Sequence, residues 1–301
     1  MPWWFFKQGG GGEPEQQKGE STAGAGQFMS GSFEWGSTYR LPQPKGWREI
    51  DRLDLLHYAL QAVLRANYVA PIGRPRHILD TGCGTARWAY ELCQEFPQAT
   101  VIGLDLEQEL IRPTPPPPPN FRFVRANLLD GLPFASNSFD FVHQRLMALS
   151  LPITCWPVLV KDLARVTAPG GWLELVEGGT QIAPAGPATQ EVFALIGHYL
   201  RARGLDGEGR VARTLARYLE EAGLDAIQQR TVALPVGEWG GPIGHLIARD
   251  FHETFLALRE RVAQRFQLPS EAFVALLQSM QRECRDLQTC YSFTVAYGQK
   301  R

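Results

Sequence analysis

The chain has 301 residues, of which 44% are apolar and 20% are charged, and the formal net charge is −1. That size allows one large α/β domain or two small ones. The balanced charge provides no positive field for coating nucleic acid, and no apolar run approaches the roughly 20 residues that span a bilayer. We therefore expect neither a nucleic-acid partner nor stable insertion into a membrane.

Cysteine usage indicates a reducing compartment. The five cysteines are odd in number, sit within apolar segments and form no CxxC pair. Disulfide frameworks and zinc sites need paired or regularly spaced ligands, and the histidines are scattered as well. The start MPWWFFKQ also lacks the basic leader and cleavage site of a signal peptide. The sequence therefore predicts buried free thiols, no metal site and a cytoplasmic protein.

Residues 1–38 are predicted to form a flexible tail. Within them, residues 7–31 are rich in Gly, Glu, Gln and Ser, a composition that buries too little apolar area to offset the entropy lost on ordering. The aromatic cluster Trp3-Trp4-Phe5-Phe6 has two interpretations: a tag for a membrane surface or a partner, or a folded-back or disordered end. An ordered domain is expected over 39–301.

The first half of the ordered region alternates strands with helices. An apolar stripe that includes His57 predicts a helix over 48–68. Beyond it we predict strands over 77–80, 100–105, 121–126, 139–143 and 172–177, and helices over 86–96 and 156–166. Such alternation produces right-handed crossovers in a parallel sheet covered by helices on both faces. The proline run Pro115–Pro119 forms a stiff connection where a crossover helix is otherwise expected.

The second half is more helical. Periodicity predicts helices over 189–203, 210–222, 244–266 and 270–287, and strands over 227–236 and 290–297. No internal repeat is visible. The expected fold is a doubly wound α/β sheet with helical insertions.

The strongest functional signal is the run ILDTGCGTARW over residues 78–88. A buried strand leads into Asp80, then into Gly82 and Gly84, and a helix begins directly afterwards. Glycines allow a tight turn and close approach to a ligand, and the helix start adds free N–H groups and a partial positive charge. A dinucleotide loop would have a third glycine where Arg87 stands. The run instead favours a ligand whose near end is an amino acid, with its ammonium group facing Asp80.

Further polar residues follow the neighbouring strands. Asp105 ends the second strand, where a carboxylate can accept both hydroxyls of a ribose. Asn127 follows the third strand, and its amide can bond an adenine edge. His143 and Gln144 close the fourth strand. Because open α/β sheets bind ligands beyond the carboxyl ends of their strands, these groups together specify an adenosyl amino acid.

These residues resemble a known family. The run over 78–88 is similar to motif I of the class I S-adenosylmethionine-dependent methyltransferases, and Asp105 and Asn127 match their ribose-binding acid and adenine-contacting position. Residues 138–143 resemble their fourth strand, and residues 168–174 the turn into their fifth. The upstream segments, with Trp88 and the proline run, are similar to the branch that includes the fungal LaeA-type regulators of secondary metabolism.

The resemblance implies a Rossmann-like, doubly wound sheet of seven strands with the last strand antiparallel, and S-adenosylmethionine as the cofactor. The residues it places against the cofactor are Asp80, Thr81, Gly82, Cys83, Gly84, Asp105, Leu106, Asn127, Leu128, His143 and Gln144. Two positions depart from the family pattern. Ala86 stands where a third glycine is usual, and Asn127 replaces the commoner aspartate.

The predicted reaction is methyl transfer to an acceptor, which we take to be a small molecule. The donor is already activated, so the protein mainly positions the acceptor and excludes water, whereas a hydroxyl or ammonium acceptor also needs a base. His57 and His143 are the first candidates, followed by Tyr39 and His245. The position of His57 also suits a satisfied core histidine. Cys83 is interpreted as a small filler because no base stands at a known distance from it.

Selection of the acceptor is assigned to the helical regions 182–222 and 243–287, the second of which acts as a lid. Trp239, in a glycine-rich loop, either lines the entrance or belongs to the loop alone. Two rival functions remain open: a regulatory protein that binds S-adenosylmethionine without turnover and acts through a protein partner, and an NAD-linked oxidoreductase, which Arg87 disfavours. The acceptor's identity and the oligomeric state do not follow from the sequence.

Overall fold

The computed structural model describes residues 47–111 and 116–301. The predicted tail over 1–38, its aromatic cluster and Tyr39 lie outside these residues, as does the first proline of the run. In the described part of the chain, seven helices flank a seven-stranded sheet. None of these helices combines the length and apolar character needed to cross a bilayer.

The strands and helices occur where the sequence predicts them, with shifts of a few residues at their ends. The strands are β1 (His77–Thr81), β2 (Thr100–Asp105), β3 (Phe121–Arg125), β4 (Phe139–Arg145), β5 (Thr167–Ala183), β6 (Leu224–Pro235) and β7 (Cys290–Lys300). The helices are α1 (Trp47–Leu64), α2 (Arg87–Glu95), α3 (Trp156–Val166), α4 (Pro187–Ala202), α5 (Arg210–Glu221), α6 (Gly241–Phe266) and α7 (Ser270–Asp286).

The largest difference from the sequence prediction is at the start of β5. The segment 168–171 was expected to be a turn, but the strand begins at Thr167, which pairs with Phe139 of β4. The register between β4 and β5 then shifts before Phe141 pairs with Trp172. The glycines expected to make a turn therefore form an irregularity within the strand, where Gly170 has a φ of +76°.

The strand order is β3-β2-β1-β4-β5-β7-β6. The first five strands pair in parallel, and β7 is antiparallel to both β5 and β6. This confirms the predicted doubly wound sheet with an antiparallel last strand. The strand order reverses between β1 and β4, and such a switch point opens a crevice at the carboxyl ends of the strands.

The core lies on both faces of the sheet because successive residues of a strand point in opposite directions. Ile78 of β1 packs with Trp88 and Leu92 of α2 on one face. Its neighbour Leu79 belongs to the cluster that includes Leu163 of α3 and Leu215 of α5 on the other face. A third apolar cluster joins α1, α4, α6, α7 and the strands β6 and β7. That cluster fixes the helices that stand next to the crevice.

Candidate functional site

A cavity of about 310 Å³ lies where the carboxyl ends of the parallel strands meet. One half is lined by the loops that follow β1, β2 and β3, and we call it the polar half. The other half is lined by side chains of α4, α6 and β7 and is called the aromatic half; its rings are Phe193, Phe251, Phe255, Tyr291 and Phe293. The two halves meet above β4 and β5.

The glycines of the loop after β1 are required by its shape. Gly82 has a φ of +68° and Gly84 a φ of +54°, which is a left-handed conformation that side chains disfavour. A Cβ on Gly82 would also clash with Sδ of Met147. The N–H groups of Gly82 and Cys83 both donate to the carbonyl of Leu104. These bonds hold the loop across the end of β2.

Asp105 ties the loop after β1 to the loop after β2. Its Oδ2 accepts the N–H of Gly84 at 2.8 Å, and its Oδ1 accepts the N–H of Glu107 at 3.1 Å. Asn127 has a comparable role after β3, where its Oδ1 accepts the N–H of Leu129 at 3.1 Å and begins a short 3₁₀ turn. The predicted cofactor contacts that line the cavity are Gly82, Cys83, Gly84, Asp105, Leu106, Asn127 and Leu128.

The other four predicted contacts lie behind the cavity wall. Asp80, Thr81, His143 and Gln144 are buried and are not among its lining residues. Asp80 was expected to face an ammonium group, but its Oδ1 lies 3.0 Å from Nδ1 of His143. Thr81 donates from Oγ1 to the carbonyl of His143 at 3.2 Å. The neighbouring strands β1 and β4 bring these groups together inside the sheet, since Asp80 and His143 are register partners.

His143 is a packed core histidine in this structure. Its ring stacks on Trp88 with centroids 3.9 Å apart and planes 5° from parallel. Burial lowers the pKa of His143 below its usual value, against the opposing effect of Asp80. The ring is therefore neutral near pH 7 and donates its Nδ1 hydrogen to the carboxylate.

His57 also lies outside the cavity lining. Arg145 donates to its Nδ1 at 2.9 Å, and its Nε2 lies 3.1 Å from Oε1 of Glu91. Because a guanidinium only donates, the hydrogen of the neutral ring sits on Nε2 and faces Glu91. Burial lowers the pKa of His57. The structure thus places His57 as a buried histidine between Arg145 and Glu91, outside the cavity lining. His245, a further candidate base, is exposed on α6 and does not line the cavity either.

Glu177 of β5 is a lining residue that the sequence analysis missed. Its Oε1 accepts the N–H of Met147 at 2.8 Å, and its Oε2 accepts the N–H of Ala148 at 3.0 Å. Burial raises the pKa of Glu177 to about 8, and the charge of Asp206 acts in the same direction. The sequence contains a signal for Glu177, namely an acid among apolar residues near the end of a strand. The same pattern identifies Asp80 and Asp105.

The aromatic half is built by helices that the sequence assigned to acceptor selection. Phe193 of α4 meets Phe255 of α6 edge to face with centroids 5.7 Å apart, and Phe251 meets Tyr291 of β7 in the same way at 4.9 Å. Burial raises the pKa of Tyr291. Trp239, for which the sequence left both an entrance position and a plain loop position open, does not line the cavity. Its ring nitrogen donates to the carbonyl of Val236 at 3.1 Å.

Comparison with known proteins decides the family. Residues 78–171 match the family model described as a methyltransferase domain. The chain is 31% identical to methyltransferase str2 of Strobilurus tenacellus over 192 residues, which cover 62% of this chain and 67% of that protein. The chain belongs to the class I S-adenosylmethionine-dependent methyltransferases.

Two more relatives show the breadth of this methyltransferase group. Methyltransferase pytC of Aspergillus terreus is 34% identical over 66% of this chain and 61% of its own length. The secondary metabolism regulator laeA of Aspergillus niger is 30% identical over 72% of this chain and 56% of its own length. The chain thus spans between about half and two thirds of the length of these three relatives.

The polar half fits the methyltransferase cofactor, S-adenosylmethionine. The positive φ of Gly82 and the lack of room for a Cβ there show that the loop is shaped around bare backbone. Asp105 lies in the cavity wall beside this loop, and Leu106 and Asn127 continue the wall towards β3. A carboxylate and then an amide thus follow the glycine loop along the wall, and these are donor and acceptor types that suit a ribose and an adenine.

Proposed function

We propose that this protein transfers the methyl group of S-adenosylmethionine to a small, largely apolar acceptor bound in the aromatic half of the cavity. The observation that carries the proposal is the continuity of the two halves. The glycine loop and Asp105 line the same cavity as the rings of Phe251 and Tyr291. A donor in one half and an acceptor in the other can therefore meet without crossing solvent.

Each residue of the polar half is assigned one task. Gly82 and Gly84 let the backbone approach the methionine end, since neither has a Cβ in the way. Asp105 accepts the ribose hydroxyls, and because Gly84 and Glu107 already hold its carboxylate, little ordering entropy is lost on binding. Asn127 offers its Nδ2 group to the adenine while its Oδ1 holds the turn. S-adenosylmethionine supplies an activated methyl group on a positively charged sulfur.

Asp80 is assigned an indirect task. Its bond to His143 joins β1 to β4 directly beneath the loop that contains Gly82. Trp88, stacked on His143, connects the start of α2 to the same point. These three side chains hold the floor of the methionine end in place.

The form of the cavity favours turnover over a purely regulatory role. A regulator that only senses the cofactor has no need of a second compartment, whereas the aromatic half adds room beyond the polar half. Likeness to the laeA regulator is compatible with both methyl transfer and regulation. The aromatic half is therefore the feature that favours methyl transfer.

Calorimetric titration with S-adenosylhomocysteine tests the cofactor assignment, with NADH as the comparison ligand. We expect micromolar or tighter binding of S-adenosylhomocysteine and none of NADH. Saturable binding of NADH alone would refute the assignment.

Methyl transfer itself is tested with donor labelled in the methyl group and a metabolite extract, followed by mass spectrometry of labelled products. We expect a labelled small molecule that disappears when S-adenosylhomocysteine is added in excess. Binding of the cofactor without any labelled product, including labelled protein, would favour the regulatory role.

A further inference from the structure

Two buried carboxylic acids of β5 each accept two consecutive backbone N–H groups. Glu174 accepts the N–H groups of Val69 and Ala70, both at 2.7 Å, through Oε2. Glu177 accepts two consecutive N–H groups as well, those of Met147 and Ala148. Residues three apart on a strand point to opposite faces, and only Glu177 lines the cavity. Glu174 thus has a structural role alone, whereas Glu177 holds backbone and also faces the cavity.

Glu177 stands at the junction of the two halves. On one side, Met147, whose N–H it accepts, packs its sulfur against Gly82 of the methionine-binding loop. On the other side, Tyr291 covers the next residue of β5, since a Cβ on Gly178 would lie 3.0 Å from the Tyr291 hydroxyl. The strand order β1-β4-β5-β7 places the loop, Met147, Glu177 and Tyr291 in that sequence across the sheet edge.

Charges around the aromatic half disfavour an anionic acceptor. The carboxylates of Asp206, Asp250 and Glu177 line it. Two cations line the cavity as well. Arg52 already forms ion pairs with Asp250 and Glu49, and Arg145 of β4 donates to His57 behind the wall. Phenylalanine rings make up much of the rest, so an uncharged ring-bearing molecule suits this half best. A neutral hydroxyl group on such a molecule must lose its proton as it takes up the methyl group.

We propose that Glu177 is the proton acceptor for methyl transfer to a hydroxyl group on an uncharged, ring-bearing acceptor. This inference rests on the proposed function. In the step, the hydroxyl O–H bond breaks and its proton moves to the Glu177 carboxylate. The oxygen forms a bond to the methyl carbon as the sulfur–carbon bond breaks, and the electron pair of that bond stays on sulfur. The products are a methyl ether, neutral S-adenosylhomocysteine and protonated Glu177.

The charge state of Glu177 depends on groups from several elements. Asp206, before α5, raises its pKa, and Asp250 of α6 and Tyr291 of β7 belong to the same group of interacting charges. The sulfonium of the bound donor has the opposite charge, and a nearby cation favours the carboxylate form. Binding of the donor is therefore expected to shift Glu177 towards its ionised form, which can accept a proton.

Sinefungin gives a test that needs no acceptor, because it has an ammonium-bearing carbon where the donor has its methylated sulfur. We compare its dissociation constant with that of neutral S-adenosylhomocysteine by calorimetry at pH 7. Wild-type protein is expected to bind sinefungin about tenfold or more tightly than S-adenosylhomocysteine, because the ammonium group can donate a charge-assisted hydrogen bond to Glu177. Titration in buffers of different ionisation enthalpy is expected to show proton release with sinefungin and none with S-adenosylhomocysteine.

The matched variants are Glu177→Gln and Glu174→Gln, since each loses one backbone-holding carboxylate. E177Q is expected to abolish the preference for sinefungin and the proton release, while E174Q keeps both. E177Q is also expected to slow labelled methyl transfer to extract products by about 100-fold or more, and E174Q to slow it far less. Binding of S-adenosylhomocysteine by each variant verifies that it is folded.

Three outcomes are decisive. Wild-type protein that binds both ligands equally, without proton release, would overturn the assignment of Glu177, and that measurement requires no variant. Equal transfer rates in E177Q and E174Q would overturn it as well. Failure of wild-type protein to bind either ligand would instead refute the proposed function and leave no cofactor site for Glu177 to serve.

Discussion

Asp80 and His143 form a buried hydrogen bond, with 3.0 Å between Oδ1 and Nδ1, between register partners of β1 and β4. Trp88 covers the imidazole, so the bond is shielded from solvent. Because a buried polar group that loses its partner costs free energy, the two residues are expected to behave as one unit. The bond lies at the point where the strand order reverses, under the loop that contains Gly82.

A double-mutant cycle measures the coupling free energy between Asp80 and His143. D80A and H143A are each expected to lower the free energy of unfolding. The decrease in the double variant is expected to be smaller than the sum of the two single decreases. The coupling should be about 1–3 kcal/mol, measured by urea unfolding at pH 7. Additive losses would show that the two side chains act independently.

Asp105 is expected to contribute directly to cofactor affinity. D105A removes both the ribose acceptor and the group that holds the N–H of Gly84. The dissociation constant for S-adenosylhomocysteine should rise about tenfold or more by calorimetry. Asp140 provides a control, because its Oδ2 accepts the N–H groups of Arg76 and His77 at the opposite edge of the sheet. D140A should leave the affinity within about twofold, and an equal loss in both variants would refute the ribose assignment.

Replacement of Gly82 by alanine is expected to destabilise the protein. In G82A the new Cβ meets the sulfur of Met147 and is forced into a left-handed conformation, which together should cost about 2–4 kcal/mol of unfolding free energy. Gly170 has a similar positive φ, but a Cβ added there would meet no atom within 4 Å, so G170A isolates the conformational cost. We expect the free energy of unfolding of G170A to fall by about 1 kcal/mol. Its affinity for S-adenosylhomocysteine should equal that of wild-type protein. Equal losses in both variants would show that crowding by Met147 is unimportant.

Stability is expected to fall as pH rises from about 6.5 towards 8. Burial raises the pKa of Glu174 to about 7 and that of Glu177 to about 8, from 4.5. These two groups bind more protons in the folded protein than in the unfolded chain, so their contribution to the free energy of unfolding decreases with pH. The lowered pKa values of His57 and His143 act in the opposite direction only below about pH 6.5. Urea unfolding at pH 5, 6.5 and 8 measures the slope, and E174Q should make it shallower. A slope unchanged in E174Q would show that Glu174 titrates normally.

The sequence by itself determined the order of strands and helices and the composition of the polar half. Alternating apolar runs predict β1 to β5 because strand burial and helix periodicity are local properties of the chain. The glycines at 82 and 84 and the acid at 105 were identified because each follows a strand, and parallel strands end at one edge of the sheet. Those residues line the cavity.

Only the tertiary structure decided which polar residues face that cavity. Asp80, at the end of β1, faces His143 because β4 lies beside β1 in the sheet, a pairing between residues 63 positions apart. Strand alternation turns Glu174 and Glu177 to opposite faces of the sheet, but only the packed structure shows that the cavity lies on the side of Glu177. The direction of a side chain depends on neighbours that are distant in sequence. Periodicity within one segment contains no information about those neighbours.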